Sequence, residues 1–344
     1  MWAGVFHVCC LVLALGLCPH KASAQGLVIP PFWNLFGPWD VNFPPPGVLP
    51  SRFVWTELFP GKPARAQGSC GSCWAFATVG AVEYQALVYD RREVDLSERW
   101  LIDCVGGGNG CKGGFPMYNY FVPNLVIPAT DIYGHNGAVL ESDLPYIDGN
   151  GECHGPYSHH YWLKGWSYIG LPGQLQASRD QIKRAVYLFG PLSSSVYADN
   201  WPRAWISFTD VLNDCRPDLP LNHVVLIVGW SDELGAWRIR NSWGPAWGEN
   251  GEAWIAYECS AIGFQATYVT YPTSRGVYVD FNYTGLAGPG IGLFNQPFNT
   301  LNEGVTALDP GGTLSVKAGS SSATPTWTKA MVVKAFGGPV TIGR

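Results

Sequence analysis

Residues 67–76 read "QGSCGSCWAF". Cys70 and Cys73 stand three residues apart, followed at once by a tryptophan and an apolar run of helical spacing. Such a pair can be a redox couple, two metal ligands, the ends of two disulfides, or a structural thiol beside a reactive one. No parallel-sheet pattern precedes it, which disfavours the redox couple. A zinc ribbon needs a second close pair, and Cys104 and Cys111 are too widely spaced for one. Cys73 directly precedes the run "WAFATVGAVEYQALVYD" (74–90), where Phe76, Val79, Val82, Ala86 and Tyr89 share a helical face. A helix N-terminus and a protonated imidazole both favour thiolate over thiol. Cys73 is therefore the better candidate for a reactive thiol, and Cys70, one turn earlier in a loop, for a disulfide.

The remaining cysteines fit this division. The chain opens "MWAGVFHVCCLVLALGLCPHKASAQG", an apolar run from Val5 to Cys18 followed by the small-x-small pattern Ala22-Ser23-Ala24. The run is short of the ~20 residues a membrane span requires, so residues 1–24 are expected to be a signal peptide and the mature protein to be secreted or extracytoplasmic, with no membrane span. No lysine or arginine precedes the run, which departs from the usual signal pattern. Of ten cysteines, Cys9, Cys10 and Cys18 leave with that peptide; Cys70, Cys73, Cys104, Cys111, Cys153, Cys215 and Cys259 remain, an odd set in an oxidising compartment. Charged residues make up 14% of the 344, the formal net charge is −5, and no basic run occurs, which excludes a nucleic-acid partner.

Residues 25–47, "QGLVIPPFWNLFGPWDVNFPPPG", are rich in proline and aromatics and lack periodicity; they read as a short pro-segment or extension. A second helix is expected near "DLSERWLID", capped by Asp95 or Ser97. Strands are expected in "YWLKGWSYIG", "PLSSSVYA", "HVVLIVGW", "AWRIRNSW" and "EAWIAYE". Helices first and strands later imply an α+β fold for residues 48–272. Residues 273–344 are Gly-rich and form a separate β-rich module. Its strands are expected in "GVYVDFNY", "GTLSVKAG" and "KAMVVKAF", and a helix in "TLNEGVTAL", where Thr300 and Glu303 make a capping box.

Four motifs in order, "QGSCGSCWAF", "LSERWLIDC…GCKGGFP", "LNHVVLIVGW" and "RNSWGPAWGENG", resemble the papain/cathepsin family of cysteine peptidases over roughly residues 48–272. The resemblance implies a two-lobed fold, with a helical lobe facing a β-barrel-like lobe. It implies Cys73 as nucleophile, His223 as its imidazole partner, Asn241 as the residue orienting that ring, and Gln67 as an oxyanion-hole donor beside the Cys73 N–H. These are the parts acyl transfer needs: an activated nucleophile, an oriented base and donors aimed at the developing oxyanion. Alone, His223 on an apolar strand would read as a satisfied core histidine. Substrate-binding positions carried over are Gly113 and Gly114, Phe115 and Pro116, Ser195, and Trp243, which also shields the Asn–His bond from water. The implied disulfides are Cys70–Cys111, Cys104–Cys153 and Cys215–Cys259.

No cofactor or metal follows from this resemblance, and the expected state is a monomer acting on peptide or protein substrates as an endopeptidase. The rival readings are an exopeptidase of the same family and a catalytically retired surface or carbohydrate-binding protein. Three departures stand out. The long inhibitory propeptide typical of the family is absent, "FVPNLVIPATDIYGHNGAVLESDLPY" (121–146) makes a longer rim loop, and a C-terminal module is added. The dipeptide His159-His160 reads as a solvated surface pair. The module resembles the opening coil of a pectin-lyase-type parallel β-helix, which implies a polysaccharide partner by analogy.

Overall fold

The structure, a computed structural model, describes residues 39–40, 49–105, 110–123, 125, 129–170, 174–202, 210–216, 220–272, 276–285, 290–324, 326–327 and 329–343. The expected signal peptide, and the 25–47 segment apart from residues 39–40, lie outside them.

Among the described residues the helices are α1 (Trp55–Leu58), α2 (Cys73–Gln85), α3 (Glu98–Cys104), α4 (Arg179–Phe189) and α5 (Leu301–Ala307). The strands are β1 (Trp39–Asp40), β2 (Arg52–Val54), β3 (Gly165–Ile169), β4 (Leu192–Val196), β5 (Val211–Leu212), β6 (His223–Ser231), β7 (Ala236–Arg240), β8 (Glu252–Ala256), β9 (Phe264–Thr270), β10 (Gly276–Val279), β11 (Thr313–Ser321) and β12 (Val332–Ile342). A nine-stranded mixed sheet runs β1-β3-β9-β4-β6-β7-β8-β5, with β2 pairing beside β6. Every residue of β6 is buried, as befits an unbroken apolar strand with both faces covered.

Helix α2 is apolar nearly all round, with Cys73, Trp74, Ala75, Phe76, Ala77, Val79, Ala81 and Val82 all buried, so it can only be a central helix. It packs on β6, and Gly80 permits the approach: a Cβ there would come within 2.9 Å of Leu226 Cδ1. Helical structure continues to Asp90 as a wider turn, and Arg91 ends it in the left-handed region at φ 55°. Ser97, not Asp95, caps α3 by accepting from the Trp100 N–H at 3.0 Å. Helix α4, the short strand β5 and strand β9 escape the sequence reading. Helix α4 has a complete capping box in Ser178 and Gln181, and β9 is rich in β-branched and aromatic side chains. The strand half therefore carries a helix on its outer face, docked where Trp55 Nε1 donates to the Val186 carbonyl at 2.6 Å.

Strands β10, β11 and β12 form a separate three-stranded parallel sheet, with α5 packed on it through Leu301 and Leu308 against Val277, Val279, Leu314 and Val316. Tyr278 points the other way, into the main core, where its hydroxyl donates to the Val88 carbonyl. Phe294 meets Trp55 at a tilt at 5.5 Å and Phe59 edge-on at 5.2 Å, and Asn295 donates to the Tyr187 carbonyl at 2.6 Å. The module is thus docked on the back of the larger unit through α1, α4 and the end of α2.

Half-buried Glu83 and buried Glu98 give this core a pH dependence. Glu83 on α2 accepts the Leu96 N–H at 2.9 Å, but burial dominates and pushes its carboxyl from an ordinary 4.5 up to about 7. Between those values the folded chain keeps a proton that the unfolded chain has released, so stability falls as pH rises. The unfolding midpoint is expected to drop between pH 5 and pH 8, by the equivalent of about 2 kcal/mol. Glu83→Gln should flatten the slope; an unchanged slope in that variant assigns it to other groups.

Candidate active site

The first residues of α2 and β6 are Cys73 and His223, and both side chains are fully buried. Packing the helix on the strand brings the thiol to the β6 backbone: Val224, the residue after His223, hydrogen-bonds it, as do the backbone groups of Trp74 and Cys73 itself at the helix N-terminus. These contacts favour thiolate, yet burial outweighs them and pushes the thiol up to about 12. The helix end alone therefore does not ionise Cys73, contrary to the simplest expectation from its position. A thiolate here requires a proton acceptor that becomes positively charged beside it.

The imidazole is oriented from behind. His223 Nε2 lies 2.7 Å from Asn241 Oδ1. That oxygen also accepts the Ser242 N–H at 2.8 Å. A backbone N–H can only donate, so this bond fixes which way the Asn241 amide faces. The ring nitrogen opposite an oxygen must carry the proton, leaving Nδ1 as the basic nitrogen of the neutral ring. The Trp243 ring sits 5.1 Å from the imidazole at 35°, and Trp201 meets it edge-on at 6.1 Å. Trp247 stacks on Trp201 at 6.0 Å and donates to the Pro202 carbonyl at 2.8 Å. These indoles pack beside the His223 ring, and His223 and Asn241 are both buried. Sequence reasoning identified Trp243 and missed Trp201 and Trp247, although Trp247 lies within the quoted "RNSWGPAWGENG".

Gln67 joins the same assembly across the two lobes. Its backbone N–H donates to the Ser242 carbonyl at 2.8 Å, and Ala66 bridges to Trp243. Its side-chain Oε1 accepts from Ser242 Oγ at 2.7 Å, and Nε2 donates to the Cys70 carbonyl at 2.8 Å. The amide is held at both ends, so the direction of its Nε2 is fixed. Ser242, absent from the sequence reading, thus serves both Asn241 and Gln67. Asn241→Ala is expected to lower kcat roughly 10- to 100-fold with little change in KM, because the ring stays but loses its fixed tautomer. A kcat within twofold of the parent would contradict that role.

The loop before α2 is stapled by Cys70–Cys111; Cys104–Cys153 and Cys215–Cys259 are the other disulfides, and among the described residues Cys73 is the free cysteine. Gly113 has φ 114°, a conformation open to glycine, and a Cβ on Gly114 would meet the Trp74 indole at 2.6 Å. Phe115 and Pro116 are half-buried beside them, while Ser195 is buried in β4 opposite Val224. The Cys70–Cys111 bridge thus ties this glycine edge to the loop before Cys73, and Ser195 pairs with the residue after His223.

His159 departs from expectation. It is not a solvated surface residue: its side chain is 7% exposed, packed edge-on against Trp100 at 5.3 Å.

Residues 49–272 match the family described as papain family cysteine protease. The viral cathepsin of Lymantria dispar multicapsid nuclear polyhedrosis virus is 31% identical over 244 residues, which cover 70% of this chain and 64% of that protein. Digestive cysteine proteinase 1 of Homarus americanus is 34% identical over 227 residues, covering 64% of this chain and 66% of its own length. The chain thus spans just under two thirds of each. Among solved structures, digestive procathepsin L2 proteinase from Tenebrio molitor larval midgut superposes with a TM-score of 0.58 at 27% identity, over 73% of this chain and 79% of that one.

Proposed function

The chain belongs to the papain family of cysteine proteases, and on that premise we propose that it is an exported endopeptidase acting through Cys73, His223, Asn241 and Gln67. The observation that carries the reading is the Asn241 Oδ1 bond to His223 Nε2, with the amide direction set by the Ser242 N–H. It leaves a basic Nδ1 to accept the Cys73 proton as Sγ bonds to the substrate carbonyl carbon. The carbonyl π electrons move to oxygen, and that oxyanion accepts hydrogen bonds from the Cys73 N–H and Gln67 Nε2. When the C–N bond breaks, its electron pair leaves on nitrogen, which takes the proton from the His223 imidazolium. Water, deprotonated by the same ring, then hydrolyses the thioester and returns the thiol.

An internal rather than terminal cut is supported by His159. A histidine that binds a substrate's terminal carboxylate must face the cleft, and this one is buried with Nδ1 donating to the Gly137 carbonyl at 2.9 Å. The three disulfides and the apolar leader support export. A polysaccharide partner for the C-terminal module rests on its three parallel strands and stays an analogy. The function is tested by incubating the purified chain with an unfolded protein and sequencing the products by mass spectrometry. Internal fragments are expected from the first time points; a ladder shortened from one end identifies an exopeptidase, and no products identify a retired enzyme.

A further inference from the structure

The longer rim loop and His159 beyond it form a side-chain cluster that the peptidase chemistry does not use. Asp131, His135 and His159 place one ligand atom each within 4.8 Å of one another. The carboxylate is fixed: Asp131 Oδ1 accepts the N–H groups of Tyr133 and His135 at 2.9 and 3.0 Å, and Oδ2 accepts Trp100 Nε1 at 3.2 Å. The turn it closes is tied to the helical lobe where the Ile132 N–H donates to the Cys104 carbonyl at 3.0 Å.

His159 supplies the second ligand and the telling detail. Its Nδ1 faces the Gly137 carbonyl at 2.9 Å, and a carbonyl only accepts, so the neutral ring carries its proton on Nδ1. Nε2 then presents a lone pair, buried, 3.3 Å from Asp131 Oδ2 and without a hydrogen-bond partner. A lone pair facing a carboxylate oxygen in a buried place is repulsive unless a cation lies between them. The two atoms lie 3.3 Å apart without making a hydrogen bond, so no Nε2–H bridges them. A tetrahedral metal fits both features. With ligand distances of about 2.1 Å, neighbouring ligand atoms sit about 3.4 Å apart, each off the other's lone-pair axis. The Nδ1–H bond to a carbonyl is also the outer contact that metal-binding histidines use to fix their tautomer.

We propose that Asp131, His135 and His159 form a binding site for a divalent transition metal of the zinc type, which pins the rim loop to the segment that carries His159. Imidazole and carboxylate donors suit zinc, cobalt and nickel rather than magnesium or calcium. The His135 ring lies 5.4 Å from the His159 ring and is exposed, so it can swing inward to become the third ligand. Water takes the fourth position. The site is independent of the catalytic reading.

The full chain carrying Cys73→Ala, which removes the competing thiol, is stripped with EDTA and titrated with Zn2+ by calorimetry at pH 7, and with Co2+ by visible absorption. One equivalent is expected to bind at micromolar Kd or tighter, with the d–d bands of a tetrahedral ion. The unfolding midpoint should rise by roughly 5 °C at a hundredfold excess over Kd. His135→Ala, at an exposed position, and Asp131→Asn, which keeps the turn-closing oxygen, should each weaken binding at least tenfold. His160→Ala should not. Absence of saturable binding at 100-micromolar Zn2+ (about a hundredfold above a micromolar Kd), or equal affinity in either ligand variant, overturns the proposal.

Discussion

Cys73→Ala is expected to lower hydrolysis of an unfolded protein substrate by about 10^4-fold or more, leaving only the background of binding and the oxyanion donors. The unfolding midpoint should stay within about 3 °C of the parent, since a buried sulfur is exchanged for hydrogen at the first residue of a helix whose other contacts persist. The two readouts together separate chemistry from folding. A variant that keeps more than a tenth of the parent rate places the nucleophile elsewhere and removes the peptidase reading. A collapsed midpoint would instead show Cys73 to be a packing residue.

Gly229→Ala is expected to cost about 3 kcal/mol or more, and to lower the unfolding midpoint by on the order of 10 °C. Gly229 lies in β6 where β2 crosses closest. A Cβ there would come within 2.2 Å of the Phe53 carbonyl oxygen and 2.7 Å of Val54 Cα, both backbone atoms that cannot turn aside. Relief requires moving β2 off the strand that begins with His223, so activity should fall with stability. Gly165→Ala is the matched control, because its nearest neighbour is Thr270 Oγ1 at 3.4 Å. If both variants melt alike by scanning calorimetry, the crossing of β2 and β6 is looser than described.

What the sequence discloses is the part governed by local chemistry. Cys73 before an apolar helix, Ser97 before α3 and Thr300 with Glu303 before α5 are readable because capping and periodicity act over a few residues. The strands that form β6, β7 and β8 are readable for the same reason. Helix α4 was readable too, from Ser178 and Gln181 ahead of Ile182 and Val186, but lay hidden among strand-like runs. His159 was not readable. Its burial depends on Trp100 and Asp131, distant in sequence, and on a turn whose hydrogen bonds close only in the fold. Ser242 likewise gains its double role only when residues 66–67 and 242–243 pair across the lobes. Neither contact leaves a periodic trace.

Oxidised sulfur at Cys70, in the loop before α2, and reduced sulfur at Cys73, the first residue of that helix, stand three residues apart. The two demands set a window of solution potential. Too strong a reductant opens Cys70–Cys111 and Cys104–Cys153, freeing the glycine edge and the rim loop; too strong an oxidant caps the nucleophile while the scaffold stays intact. Activity should therefore peak at an intermediate thiol–disulfide poise and fall on both sides for different reasons. The oxidised side recovers on adding mild thiol, and the over-reduced side recovers only once its bridges re-form.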